Sequence, residues 1–389
     1  MLFLTVFIDL MGFGIVVPVL AFCAKEYGAS GLTLGLILGS FSLMQFLFSP
    51  VWGRLSDRVG RRPVLMSSLA GSVVGFLTFA FAANVAMLFA SRIVSGVAAA
   101  SIATAQAYVA DSTEEANRSK GMAIIGMAFG LGLVLGPPIG GVLSSFGTAS
   151  HLPANLLPGA AAAMLSALAL LLAAFVLPES KPPGTGRSSL FDHDSWILFF
   201  RERDLRLAGG SLAILMCALA SLAPILVLVG RDRYGLTAGQ VGYLFGLMGI
   251  VVIAAQALAI ERLARRMGDI GAAILGATCL MLGLLLVPLT REYTVLLAAT
   301  CLMGIGQGLC NPTLSAYISK IAPPTHRGGI LGVSSSLTAL ARVIGPALAG
   351  LAYDALHAPG AVASQIAVAV IGAVLGIKLL SRHARRIPS

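Results

Sequence analysis

Charge is scarce in this chain. Asp, Glu, Lys and Arg make up 11% of its 389 residues, against roughly a quarter in soluble domains. That shortage, with 57% hydrophobic residues and a mean hydropathy of +0.92, excludes an ordinary soluble protein. Cysteine is sparse too: Cys23, Cys217, Cys279, Cys301 and Cys310 fall singly in or at the ends of apolar runs. No CxxC pair exists, so neither a cysteine metal site nor a disulfide framework is implied. The five histidines lie in or near polar loops, so no metal and no cofactor is expected. None of the five lysines sits in a G-x-x-x-x-G-K-[ST] context, which excludes a phosphate loop and ATP hydrolysis by this chain. An ion gradient, a partner or no coupling at all remains, and an enzyme is not expected.

Long uncharged runs are what the chain has instead. Residues 33–50 and 64–90 carry no charge, and about 20 apolar residues suffice to cross a bilayer. The hydropathy pattern places helices at 2–22, 34–53, 63–82, 87–110, 119–143 and 156–177, then 206–228, 239–261, 271–289, 294–318, 328–353 and 361–380. The expected fold is an all-α polytopic membrane protein of twelve helices in two pseudo-symmetric six-helix bundles. Residues 1–177 form the first bundle, 178–205 a Pro/Gly-bearing cytoplasmic loop, and 206–389 the second bundle with a short basic tail. The first run is read as a retained helix, since no basic region precedes it and no small-residue cleavage site follows.

Of the 26 basic residues this topology puts 20 on one side, 4 on the other (Lys25, Arg231, Arg233, Arg291) and 2 within spans (Arg92, Arg342). That asymmetry makes the first side, with both termini, cytoplasmic. The +10 balance is thus a topology signal in the cell membrane and not a nucleic-acid face. The halves also repeat. Arg54, Leu55, Arg58 and Gly60 recur 208 residues later as Arg262, Leu263, Arg266 and Gly268, whereas Gly136-Pro137 and Ala107-Tyr108 recur 209 later as Gly345-Pro346 and Ala316-Tyr317. Parallel halves around a midplane site describe a secondary transporter.

Residues 53–63 (GRLSDRVGRRP) join two apolar runs with Asp57 set among four arginines and flanked by Gly53 and Gly60. One reading is a solvated positive-inside loop; the other is a conformational latch in which Asp57 meets the start of helix 11 near Gly328 and Gly329. Asp9 is the one acid well within a span. Burial raises a carboxyl pKa and suits a group that cycles a proton; the plainer reading is an acid satisfied by nearby backbone. Arg92 sits in S-R-I-V-S-G of helix 4, with the alternative of snorkelling outward. Arg342 in helix 11 has no surrounding motif. Gly132, Gly136, Gly140 and Gly141 with Pro137 and Pro138 make helix 5 kinked and glycine-faced, fit for close packing and a hinge. Span amides at Gln45, Gln106, Gln256, Gln307 and Asn311, with scattered methionines, suit an amphipathic organic substrate. Helix packing explains each methionine singly.

The 53–63 string resembles the G-x-L-[AS]-D-R-x-G-R-R motif between helices 2 and 3 of the major facilitator superfamily. Arg92 to Gly96 resembles the R-x-x-x-G motif of its proton-coupled exporters, which implies that Arg92 biases the protonation of a nearby acid. The G-x-x-x-G-P-x-x-G-G string of helix 5 resembles the antiporter motif. Together with helix 1 these look like the tetracycline-efflux branch of the drug:proton antiporters, most closely in the first half. That branch carries acids in helices 3 and 9 and a histidine in helix 8. Here Gly75 stands near the helix 3 position, and helices 9 and 8 lack the others. The resemblance implies a proton-driven exporter of amphipathic compounds, and these departures count against tetracycline and its metal chelate as the compound. A monomer in the lipid bilayer is expected. A small-metabolite facilitator or importer, and a non-transporting sensor or scaffold, stand as alternatives.

Overall fold

The computed structural model describes residues 2–99, 104–105, 108–109, 115–179, 193–289, 292–323 and 325–384, which are almost wholly helical and include no strand. Helices α1 (Leu2–Glu26), α2 (Gly31–Val59), α3 (Arg61–Ala80), α4 (Val85–Ala98), α5 (Glu115–Ala149) and α6 (Leu156–Val176) come first. There follow α7 (His193–Arg201), α8 (Arg203–Ala220), α9 (Leu222–Tyr234) and α10 (Ala238–Ala254). A π-helical stretch (Ala255–Ala259) then leads to α11 (Ile260–Leu289), α12 (Tyr293–Ile321) and α13 (Arg327–Ala384). Nine segments of the described residues are long and apolar enough to span a bilayer. The segments Ala238–Leu289 and Arg327–Arg382 run 52 and 56 residues, more than twice the ~20 that one crossing needs. Each is broken once by a left-handed residue, Gly268 at φ 73° and His357 at φ 57°.

Helix ends depart from the hydropathic limits. Helix α2 runs on through the charged stretch to Val59, so Gly60 alone separates it from α3. Hydropathy marks where the apolar environment stops, but charged side chains spaced i, i+4 support a helix equally well in water. The single span expected at 206–228 is interrupted at Ser221, because Pro224 has no amide hydrogen to give the carbonyl of Ala220. The segment expected as a polar loop at 178–205 contains helix α7.

The chain forms two compact units: residues 1–29, 40–190 and 236–246, and residues 30–39, 191–235 and 247–389. In the first unit α1 is central, with Ile15, Val16, Val19 and Leu20 fully buried, and it packs on α3, α5 and α6. Val6, Leu65, Leu69, Ala169 and Ala173 share one core at its N-terminal end. The other end is tied by polar groups: the Asn155 amide donates to the carbonyls of Phe79 and Ala82, both at 2.8 Å, and the Tyr27 hydroxyl donates to Ala82 at 2.7 Å. These donors satisfy carbonyls that the end of α3 leaves without helical partners.

In the second unit α8 lies on α13 and α11 on α12. The Ser211 hydroxyl donates to the carbonyl of Gly372 at 2.8 Å, and Phe199 of α7 covers Gly209.

The sequence repeat is also a structural one. Gly60 (φ 100°) and Gly268 (φ 73°) make the same turn in the two halves. Within the first unit, Gly136 of α5 packs on Gly14 of α1, and Gly242 at the start of α10 packs on Pro137. Within the second, Gly345 packs on Cys217 of α8, and Gly35 at the start of α2 packs on Pro346.

Candidate functional site

The charged turn is built from the end of α2, the start of α3 and a residue far along the chain. Asp57 Oδ1 pairs with Arg61 Nη2 at 2.9 Å, while Arg61 Nη1 donates to Ser56 Oγ at 2.5 Å. The backbone amides of Arg61 and Arg62 donate to Glu179 Oε1 and Oε2 at 2.8 and 3.2 Å. Glu179 thus sits on the N-terminus of α3, where a carboxylate meets unpaired amides and the positive end of the helix dipole. Gly60 is what lets it approach, since a Cβ there would stand 2.5 Å from Glu179 Oε2. Arg62 Nη2 reaches the carbonyl of Ala174, and the Tyr108 hydroxyl donates to that of Pro178 at 2.9 Å. Arg58 is exposed. A Cβ on Gly53 would meet nothing within 4 Å, so no close contact explains that glycine here. Sequence reasoning missed Glu179. The one available signal was an acid just past a helix end, in a segment facing surplus arginines.

Asp9 is 8% exposed and accepts the Ser166 hydroxyl of α6 at 3.4 Å. Arg92 is 1% exposed. Its Nε and Nη2, and the hydroxyl of Ser95 one turn on, have no hydrogen-bond partner among the described residues. Gly75 of α3 lies directly against Ser95, so a side chain there would collide with the hydroxyl. The missing helix 3 acid is therefore also a matter of space. Gly96 brings α4 to within contact of α2, where a Cβ would stand 2.6 Å from the Phe41 carbonyl oxygen.

The glycines of α5 form a contact face. A Cβ on Gly132 would stand 2.9 Å from Met11 N, and one on Gly136 2.7 Å from Gly14 Cα. Gly140 rests on the Ile15 carbonyl, and Gly141 faces Ala238 O, 2.8 Å from a Cβ. Pro137 and Pro138 lie within this run. Helices α1 and α5 thus approach backbone to backbone, directly beyond Asp9.

Gln45 is half-buried on α2. Gln256 is exposed within the π-helical stretch, a form found often at functional sites. Gln307 and Asn311 lie one turn apart on α12, and Gly308 between them packs on Ala255, the neighbour of Gln256. Three of the expected amides thus share two touching elements, while Gln106 falls outside the described residues. Arg342 of α13 is exposed. A cavity of about 380 Å³ lies elsewhere, lined by Arg203, Leu207, Lys378, Ser381 and Arg382. Among the described residues no three His, Cys, Asp or Glu come together to hold a metal.

Comparison with known proteins bears on the whole chain. It is 31% identical to the class C tetracycline resistance protein of Escherichia coli over 357 residues, covering 90% of this chain and 88% of that one. It is 27% identical to multidrug resistance protein 2 of Bacillus subtilis (strain 168), covering 94% and 92%. The crystal structure of the human organic anion transporter MFSD10 (TETRAN) superposes with a TM-score of 0.71 at 26% identity, covering 96% and 97%. The family model for the Major Facilitator Superfamily matches residues 2–296 and 212–389. A multi-pass helical chain with an internal repeat, matched end to end in this way, belongs to the Major Facilitator Superfamily, a family of transporters and not enzymes.

Proposed function

We propose that the protein exports small amphipathic organic compounds in exchange for protons, by alternating access. The observation that carries this reading is Asp9, a carboxyl buried in the central helix of the first unit beside a hydroxyl donor. Intramembrane acids are rare and mark proton or substrate pathways. The kinship with tetracycline and multidrug resistance proteins supports efflux as the direction.

Arg92, fully buried with donors unfilled among the described residues, is the charge that tunes how readily Asp9 releases its proton. Gly53, Asp57, Arg58, Gly60, Arg61 and Arg62 form a conformational latch that Glu179 anchors. Gly132, Gly136, Pro137, Gly140 and Gly141 form the packed hinge. Gln45, Gln106, Gln256, Gln307 and Asn311 contact substrate. In this reading each of the two longest segments crosses twice, which with α4 gives twelve crossings. Both termini are cytoplasmic, residues 1–177 and 206–389 make the halves around the 178–205 connection, and the monomer is the working unit.

Substitution of the acid tests this reading. Asp9→Asn keeps size and hydrogen bonding but cannot cycle a proton. It is expected to bind substrate yet lose efflux against a gradient in energised vesicles, while Asp9→Glu keeps part of it. Full, pH-responsive efflux by Asp9→Asn would remove the acid from the mechanism.

A further inference from the structure

Arg342 lies within α13, and by the span limits 328–353 it is roughly 20 Å from one end of the crossing and roughly 16 Å from the other. A cation at that depth is costly unless it is paired or meets water. No hydrogen bond or ion pair joins Arg342 to a described residue, and the one acid inside the span limits of the second half, Glu261, stands at the very end of 239–261 and pairs with Arg265. Yet its side chain is exposed.

The direction of that exposure follows from helix geometry. At about 100° per residue, Leu340, Ile344 and Leu351 lie on the far side of α13 from Arg342. Those three are large exposed apolar side chains, the mark of a lipid face. On the Arg342 side, Gly345 and Pro346 pack on α8 and on the start of α2, which is protein and not lipid. In the other direction the same side continues through Thr338, half-buried, and Ser335, exposed. The Thr338 hydroxyl donates to the Ser335 carbonyl at 2.9 Å, so its lone pairs remain for a solute. A polar stripe ending in an accessible guanidinium, opposite the lipid face of an apolar helix, lines an aqueous path. The repeat makes it specific to one half: 342 − 209 = 133, and position 133 is Leu133.

We propose that Arg342 is the counter-charge for the transported molecule, which makes the preferred substrates amphipathic organic anions carrying a carboxylate or sulfonate. This rests on the transport reading above and names its substrate class. A guanidinium in a partly dry path offers two parallel donors to such a group. Asp9 is then left to the proton, since an anionic cargo has no use for a carboxylate partner. Two of the departures from the tetracycline-efflux pattern, the acids missing from helices 3 and 9, fit the same sign.

Purified protein in liposomes would be assayed for equilibrium binding and for transport of taurocholate as the anion, ethidium as the cation and chloramphenicol as the neutral compound. Wild type is expected to prefer taurocholate. Arg342→Gln should weaken taurocholate binding about tenfold, the scale of a charge-assisted pair, with ethidium and chloramphenicol unchanged or improved. Arg342→Lys should recover part of the loss. Arg342 is exposed, so neither change removes a packed core group. Taurocholate binding that survives Arg342→Gln unweakened would overturn the proposal. So would ethidium transport by a wild type that neither binds nor moves taurocholate, although efflux itself would then stand. Arg342-dependent taurocholate binding without proton-driven transport would uphold the anion site and defeat the export reading.

Discussion

Single residues differ in how far their partners lie along the chain, and that distance decided what could be read. Asp57 and Arg61 form an i, i+4 pair, which spacing alone makes available. Glu179 caps Arg61 from 118 residues away, and Ser166 meets Asp9 across 157; no local pattern carries such pairings. Glu179 nevertheless makes a prediction possible. Glu179→Gln keeps one acceptor oxygen but loses the second backbone bond and the charge at the start of α3. The loss should be about 1–2 kcal/mol, the range for a helix-terminal charge with a charged hydrogen bond, read as a lower apparent Tm in detergent. An unchanged Tm would show that the carboxylate anchors nothing there.

At the level of elements, hydropathy located the apolar runs but not the helix ends. The continuation of α2 to Val59 shows why: a helix needs backbone hydrogen bonds, not an apolar solvent. What ends α2 is a single glycine in a region of φ/ψ space open essentially to glycine alone. Gly60 (φ 100°, ψ 165°) and Gly268 (φ 73°, ψ 169°) share that conformation, so alanine at either should cost about 1–3 kcal/mol in backbone strain. Their surroundings differ. A Cβ at position 60 would meet the Glu179 carboxylate at 2.5 Å, whereas at 268 nothing lies within 4 Å. Gly60→Ala should therefore lower the apparent Tm more than Gly268→Ala, and double substitution with Glu179→Ala, which removes the crowding carboxylate, should narrow the gap. Equal losses at the two glycines would mean that crowding by Glu179 contributes nothing. The π-helical stretch around Gln256 had no sequence signal, since its residues Ala255–Ala259 (AQALA) are ordinary helix formers.

For the whole molecule the repeat was legible because offsets of 208 and 209 recur in separate motifs, and the paired glycine contacts give that arithmetic a physical form. Where the halves differ, composition alone could not say whether the difference mattered. The offset of 209 pairs Ser145 with Asp354 (145 + 209 = 354). In the first unit Ser145 Oγ merely neighbours Gly239 at the start of α10, 3.0 Å from a Cβ. In the second unit Asp354 accepts the backbone amides of Gly31 and Leu32 at 2.6 and 2.8 Å. The start of α2 therefore has an acid cap that its repeat partner lacks; α10 relies instead on Thr237 and Gln240, joined by the Thr237 amide to Gln240 Oε1 at 2.9 Å. Asp354→Ala leaves those two amides without their side-chain acceptor, and lost caps of this kind cost about 0.5–2 kcal/mol. Hydrogen exchange at Gly31 and Leu32 should accelerate by roughly 3- to 30-fold, the same free energy expressed as a rate, while exchange at the start of α10 stays as it was. Asp354→Asn, which keeps one acceptor oxygen, should fall between. Exchange at the start of α2 that is unaltered in Asp354→Ala would mean the helix end is held by its glycine packing on Pro346 and Gly350, with the carboxylate a bystander.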